Sequence, residues 1–573
     1  LPFHSIFEED VDILLSFRSL AESRESWSGH PFAKLFNDPE VQAFFAPMIE
    51  SAMEGQDESF TQVMENEFGL TWDELFELFP GEFCVALYNL PEVLLGEMER
   101  PELLIMAEYN GDAERLAALW QVQFERNATE QKKENPDIEH TMIEESFMGE
   151  TLYLDETFDG VETYIEDGYA LVGNIFVLAT PEATLRAVVE AIKDEPEAAL
   201  SNNEIFLRSQ ECGGRGDLSL YFNLEAILPP LNQAMLTNAM NGGVAMFGLS
   251  GASLDRALSL ESLQAMYFDF DLIEEGMSTH SGLIYREKTG LASLMTYGNG
   301  PLPDARYVPE TVFSTSVTNF DLGEMFAQFE SLLGDASPTL PSLLDIQLQN
   351  VKTQTGVDLR TAILENFGGN FVSLSSISER DGATVIMEPE QVILVELRDA
   401  EALSGAFEAW IDMVPGMREM IEIQEFAGEL VHTVKGVSDQ SMPETKTQDV
   451  SYVITRSHFI LNFGEIGLLK NVLTRIESGE DGFWQSKKTE KLFERISMDR
   501  SISRSYADLE QLVVPMLDSI VQAGQLAGEG ALFDGAKLPR DWHIPFHAIT
   551  EINEDEDGFF SRTLIIEKKE LAQ

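Results

Sequence analysis

The chain has 573 residues, 44% hydrophobic and 10% aromatic, enough apolar material for roughly two to four domains with real cores, which excludes a disordered chain. Lys and Arg number 37 against 100 Asp and Glu, a net charge of −63; a field of that sign repels phosphate backbones and anionic bilayers, excludes nucleic acid as a partner and favours cations or basic partners. The two cysteines, Cys84 and Cys212, form no CxxC motif, which excludes the usual zinc and dithiol sites and leaves a single disulfide between them open.

Taken from the N-terminus, the chain starts at Leu1 rather than Met. We read this as a processed or trimmed form, and a removed signal peptide would explain it. No run of 18 apolar residues follows, so no transmembrane helix is expected. Residues 68–89, "FGLTWDELFELFPGEFCVALYN", read as a short amphipathic helix, a glycine and an alternating strand. Residues 101–124 read as a strand, an acidic turn and a helix capped near Asp112. "FMGETLYLDE" is a bend at Gly149, and residues 164–192 are two strands and a helix. "SLYFNLEAILPPL" is a strand running into a helix, and residues 268–288 close with a hairpin whose turn holds Gly276.

The same order then recurs. Residues 355–376 answer 68–89, with Gly369 for Gly81, and residues 390–413 answer 101–124, with Asp399 for Asp112. "FAGELVHTVK" answers "FMGETLYLDE", with Gly428 for Gly149. Residues 452–476 answer 164–192, and "SRSYADLEQLVVPML" answers "SLYFNLEAILPPL". Residues 547–568 supply the second closing hairpin, with Gly558 for Gly276. Six blocks in one order, offset by roughly 280 to 290 residues, describe a duplication with small indels. A Gly/Pro stretch near 298–310 marks the boundary, giving a first repeat over 1–300 and a second over 301–573. Helices mixed with hairpins, without regular βαβ alternation, predict an α+β class, each half with helices on a mostly antiparallel sheet.

The stretch "HPFAKLFNDPEVQAFF", the strands "GEFCVAL" and "GGNFVSL", and the block "FVLATPEATLRAVV" together resemble an uncharacterised family of exported bacterial proteins, a domain of unknown function. The resemblance covers most of the chain. It implies a periplasmic or secreted location and carries no activity and no functional residues.

Motifs that carry chemistry are few. "NEDEDG" spaces Asn553, Asp555 and Asp557 like the start of a calcium loop. Position twelve, where a closing Glu belongs, holds Leu564, and the counterpart "DLIEEG" interrupts its acids with Leu272 and Ile273. A hairpin turn is the simpler reading, with calcium as the candidate ion if the turn is a site. "RGD" at 215–217 reads as a turn, and "KTG" at 288–290 follows a strand but lacks the S-x-x-K and S-D-N companions of penicillin-recognising enzymes, which dismisses it. His543 and His547 lie four apart, with Pro545 between them arguing against a helical metal pair. The segment 229–254, rich in Met, Ala and Gly, reads as an apolar helix, a break and a second apolar piece. The simpler reading is a helix buried between the two halves; the alternative makes Met235, Met240, Met246 and Phe247 candidate contacts for a partner protein or apolar ligand, because Met and Gly repack easily. The leading expectation is a non-enzymatic exported binding or scaffolding protein. The alternatives are a hydrolase whose site assembles from distant residues and a calcium-stabilised extracellular protein.

Overall fold

A computed structural model describes residues 2–44, 71–194, 198–213, 216–241, 250–298, 300–377, 389–414, 416–437, 448–513, 517 and 544–568. Two compact units share the chain. The first holds Leu1–Met235 and Leu263–Arg286; the second holds Glu287–Ile520 and His543–Gln573 and also takes Leu236–Ser262.

In the first unit the strands are β1 (Ile13–Phe17), β2 (Phe83–Tyr88), β3 (Glu102–Glu108), β4 (Glu139–Phe147), β5 (Glu150–Phe158), β6 (Thr163–Val172), β7 (Ile175–Thr180), β8 (Leu218–Asn223), β9 (Leu263–Ile273) and β10 (Gly276–Tyr285). They pair antiparallel in the order β4-β5-β6-β7-β3-β2-β1-β8-β9-β10. The helices up to β9 are α1 (Leu20–Gly29), α2 (Pro31–Phe36), α3 (Trp72–Leu78), α4 (Leu90–Leu94), α5 (Ala113–Glu134), α6 (Glu182–Lys193), α7 (Glu204–Gly213), α8 (Leu224–Asn241) and α9 (Gly251–Leu258). Of these, α9 and the C-terminal part of α8 count with the second unit.

The second unit contains β11 (Ser314–Asn319), β12 (Phe367–Ile377), β13 (Pro389–Leu397), β14 (Ile421–Phe426), β15 (Glu429–Val437), β16 (Gln448–Ile454), β17 (His458–Phe463), β18 (Ser501–Asp508), β19 (Phe546–Glu554) and β20 (Gly558–Glu567). Their antiparallel order is β14-β15-β16-β17-β13-β12-β11-β18-β19-β20. Strand for strand this is the order of the first sheet. The helices are α10 (Leu322–Ala336), α11 (Thr339–Thr355), α12 (Ala400–Met413), α13 (Met417–Met420), α14 (Gly467–Ser478) and α15 (Lys487–Phe493). The fold is α+β.

Local chemistry sets the element ends. Asp112 caps α5 by accepting the Arg115 amide at 3.1 Å, and Asp399 caps α12 by accepting that of Ala402 at 3.0 Å. Thr71 and Glu74 close a capping box at the start of α3. Met148–Gly149 and Ala427–Gly428 make the β4–β5 and β14–β15 turns, both residues of each pair at positive φ. That is the two-residue turn whose twist suits a hairpin. One face of α6 buries Leu185, Val188 and Val189, and the same face of α14 buries Leu468, Leu469, Val472 and Leu473. This is the spacing of a helix laid on a sheet. The Gly/Pro stretch near 298 folds onto β11, where the Gly298 amide donates to the Asn319 carbonyl at 3.1 Å. Cys84, on β2, and Cys212, on α7, are both thiols rather than disulfide partners.

Candidate functional site

Residues directly opposite across antiparallel strands share one face of the sheet. Phe17 on β1 lies opposite Phe83 on β2, Phe83 opposite Ala107 on β3, and Ala107 opposite Phe176 on β7. One step along, Ile105 lies opposite Leu178. These side chains form an apolar floor. Above it, α3 brings Leu75, Phe76 and Leu78, and α5 brings Leu116, Leu119 and Trp120. Leu20 from α1 and Phe79 complete the rim.

These surfaces do not close. Between them lies a space of about 380 Å³; among the described residues its lining is apolar apart from Gln123. At about 24 cal/mol per Å³, a sealed void of that volume would cost roughly 9 kcal/mol, as much as a whole domain's net stability. The space is therefore a recess open on one side: Leu75, Phe76, Leu119 and Trp120 remain partly accessible while Leu78, Leu116 and Phe176 are buried. Tyr153 and Tyr169 stack at 4.7 Å, and Trp120 rests on Tyr169 at 5.1 Å, so the aromatic wall is braced from behind. An apolar recess of this size is in the range that holds a small ligand. Among the described residues its walls provide burial and shape and carry no charge, with Trp120 and Gln123 as the lining residues that have side-chain N–H groups.

The residues singled out in the sequence lie elsewhere. Asn553 sits near the end of β19 and donates from Nδ2 to the Asp499 carbonyl at 3.3 Å. Asp555 accepts the Asp557 amide on Oδ1 at 2.9 Å and donates its own amide to the Gly558 carbonyl at 3.1 Å. The acids thus build the turn between β19 and β20. Among the described residues, no three His, Cys, Asp or Glu side chains are grouped to hold a metal ion. Met235 and Met240 lie on α8, but their side chains are outside the described residues, as are Met246 and Phe247 altogether. Asp217 of the RGD tripeptide pairs with Arg18 at 2.5 Å and accepts the Leu272 amide at 2.8 Å. Lys288 of KTG pairs with Glu554. His547 is buried against the Tyr506 hydroxyl, and His543 is outside the described residues. Among the described residues, no helix is long and apolar enough to cross a membrane.

The recess was not legible because its lining comes from β1, β2, β3, β7, α1, α3 and α5, spread from Phe17 to Leu178. The amphipathic pattern of "TWDELFELF" points Leu75, Phe76 and Leu78 inward. It does not say whether the far wall reaches them.

No family model matches the chain, and no curated protein matches it. Among solved structures, crystal form III of TP0453 aligns at 10% identity with a TM-score of 0.20, covering 51% of this chain and 80% of that one. Crystal form I of TP0453 aligns at 9% identity with a TM-score of 0.19, covering 50% and 78%. Similarity at this level carries no argument about fold or function.

Proposed function

We propose that the protein is a non-catalytic binding protein whose first unit takes up an apolar small molecule between α3, α5 and the sheet. The observation that carries this reading is the recess of about 380 Å³, whose lining among the described residues is apolar apart from Gln123. Such walls reward burial at about 25 cal/mol per Å² of apolar surface. They select for an aliphatic body with at most one polar end. With 100 acidic side chains against 37 basic ones, a neutral polar end suits the site better than a carboxylate. The best-fitting class is therefore a single-chain neutral lipid, a long-chain alcohol or monoacyl ester. An exported setting, as the family resemblance implies, agrees with a carrier or sensor of such molecules.

Trp120 in the wall provides the test. Titration with a monoacylglycerol should change Trp120 emission saturably, and Leu119→Trp or Ile105→Phe, which fill the recess, should abolish uptake while raising the melting temperature. If the filled variants are stabilised but the wild-type chain takes up no monoacylglycerol, the recess is a packing defect and the reading fails.

A further inference from the structure

The floor of the recess is one end of a longer apolar surface. The row that starts at the recess residues Leu178 and Ile105 continues straight across the sheet as Val85, Leu15, Leu220 and Phe268. The next row on the same face reads Leu103, Leu87, Ile13, Phe222 and Met266. From β2 to β9 neither row contains a polar side chain. Nor is this face sealed. Val85, Leu15, Leu220 and Phe222 are half-buried, and Phe268 and Met266 are 40% and 43% exposed. Their neighbours Leu14, Ala86, Tyr221 and Tyr267, which point to the other face, are buried.

The second sheet shows that the fold does not require this. Phe407 rests on Tyr452 at 5.0 Å as Trp120 rests on Tyr169, and His432 stacks on Tyr452 at 4.7 Å as Tyr153 stacks on Tyr169. Leu461 and Ile393 hold the places of Leu178 and Ile105. Beyond them the two rows part company. The second sheet continues with Ser373, Ser316, Ser505 and Thr550. The Ser316 and Ser373 hydroxyls meet at 2.8 Å, and Thr550 meets Thr563 at 2.8 Å, so this row satisfies its own polar groups and is at ease beside water. The same strand order thus carries hydroxyls in one unit and Val, Leu, Leu and Phe in the other.

An accessible apolar stretch in a chain of net charge −63 marks a surface that something apolar and uncharged covers. Its continuity with the recess says what. Phe83 and Phe17 line the recess, and Val85 and Leu15 stand two residues from them on the same strands and the same face. From Ile105 to Phe268 the row crosses four strand spacings, about 19 Å. One acyl chain spans roughly 15 Å, half the hydrocarbon core of a bilayer. The row is therefore long enough to carry the part of a long chain that extends past the recess.

We propose that the acyl chain of the recess's ligand runs out past Phe83 and Phe17 and lies along Val85, Leu15, Leu220 and Phe268, which makes this row the determinant of chain length. The inference rests on the reading of the recess as a neutral-lipid site and adds to it a second subsite built from different residues. Short chains are held by the recess alone. Each further methylene laid on the row removes apolar surface from water on both sides, a gain of up to about fourfold in affinity.

The test is titration of the full chain with monooctanoylglycerol and monopalmitoylglycerol, each below the concentration at which it aggregates. The longer ester should bind at least about a hundredfold more tightly. The triple variant Leu15→Ser, Leu220→Ser, Phe268→Thr places the second sheet's residues in the first. It should weaken the longer ester by at least about tenfold and leave the shorter one within about twofold. Phe268→Thr alone, at an exposed position that the fold does not depend on, should weaken only the longer ester, by about threefold or more, and keeps the test decisive if the triple variant does not fold. Equal affinity for the two esters in the wild type, or equal loss of both in a folded variant, would overturn the inference and leave the recess reading standing. So would unchanged binding of both together with a dimer that the triple variant dissolves, which would make the row an interface between copies. Binding of neither ester by the wild type would overturn the recess reading and this inference with it.

Discussion

Tyr506 and His547 share a hydrogen bond of 2.8 Å between the phenol hydroxyl and Nδ1, across the β18–β19 ladder of the second unit. His547 is 5% exposed, and burial, aided by the nearby Lys488 and Lys568 charges, lowers its pKa to about 4, with Asp508 pulling the other way. The unfolded chain, with histidine near 6.5, binds a proton that the folded chain refuses. Stability from this group is therefore complete above pH 6.5 and is lost as pH falls toward 4. His547→Gln should remove that slope. The unfolding free energies of wild type and variant, from urea titrations, should converge by about 2 kcal/mol between pH 7.5 and pH 4.5, with the wild type losing more.

Glu82 works in the opposite direction. Its carboxyl accepts the Phe3 amide at 3.2 Å, but burial, with the Glu108 charge adding to it, raises its pKa to about 7. An acid raised above its unfolded value destabilises the fold once it is forced to ionise, so the penalty grows from about pH 4.5 to pH 7 and is constant above. Glu82→Gln keeps an acceptor for the Phe3 amide and removes the charge. Allowing for its partial exposure, it should stabilise the protein by about 1–2 kcal/mol at pH 8 and leave it unchanged at pH 4. Equal effects at both pH values would mean that packing, not ionisation, governs the site.

Two glycines on helices should respond oppositely to the same substitution. At Gly213, the last residue of α7, an added Cβ would lie 1.9 Å from Asp269 Oδ2 and 2.6 Å from the Tyr267 ring. At Gly405, within α12, nothing lies within 4 Å. Gly213→Ala should lower stability by about 2 kcal/mol through overpacking, whereas Gly405→Ala should raise it by about 0.5–1 kcal/mol through helix propensity. Thermal unfolding of the two variants beside wild type decides this.

The turn at 553–558 predicts an ionic-strength response. Asp555 is committed to the Asp557 amide, and the net charge of −63 makes the whole chain self-repelling. Sodium chloride and calcium chloride at matched ionic strength should raise the melting temperature equally, and the Asp555→Asn, Asp557→Asn double variant should not change the difference between the salts. A rise specific to calcium that the double variant abolishes would make the turn a metal site.

Parts of the fold were written locally, and these were legible. Asp112 and Asp399 cap helices because a short acidic side chain just before an apolar-periodic run reaches back to the first free amides. Gly149 and Gly428 mark tight turns because those turns require positive φ. What could not be read is which face of a strand is closed over. In β9, simple alternation would bury Phe268, yet Phe268 is 40% exposed and Asp269 only 2%. The choice is made by α7, whose Gly213 end presses on Asp269 and Tyr267 from across a gap of more than fifty residues. The apolar recess was illegible for a related reason. Periodicity gives the direction of each side chain, and volume depends on the distance between elements that only the finished fold sets.

The place of α9 has a consequence for biosynthesis. In sequence it stands between β8 and β9 of the first sheet, yet it belongs to the second unit, where it packs on α10. A ribosome therefore releases α9 about sixty residues before the helix it packs on begins at Leu322. At about 5–20 residues per second that is a delay of roughly 3 to 12 seconds. During it, β9 and β10 can join the first sheet while α9, with the side of Ala257 meant for burial, has no host. The order in which the nascent chain appears thus differs from the order in which the two folds can be completed.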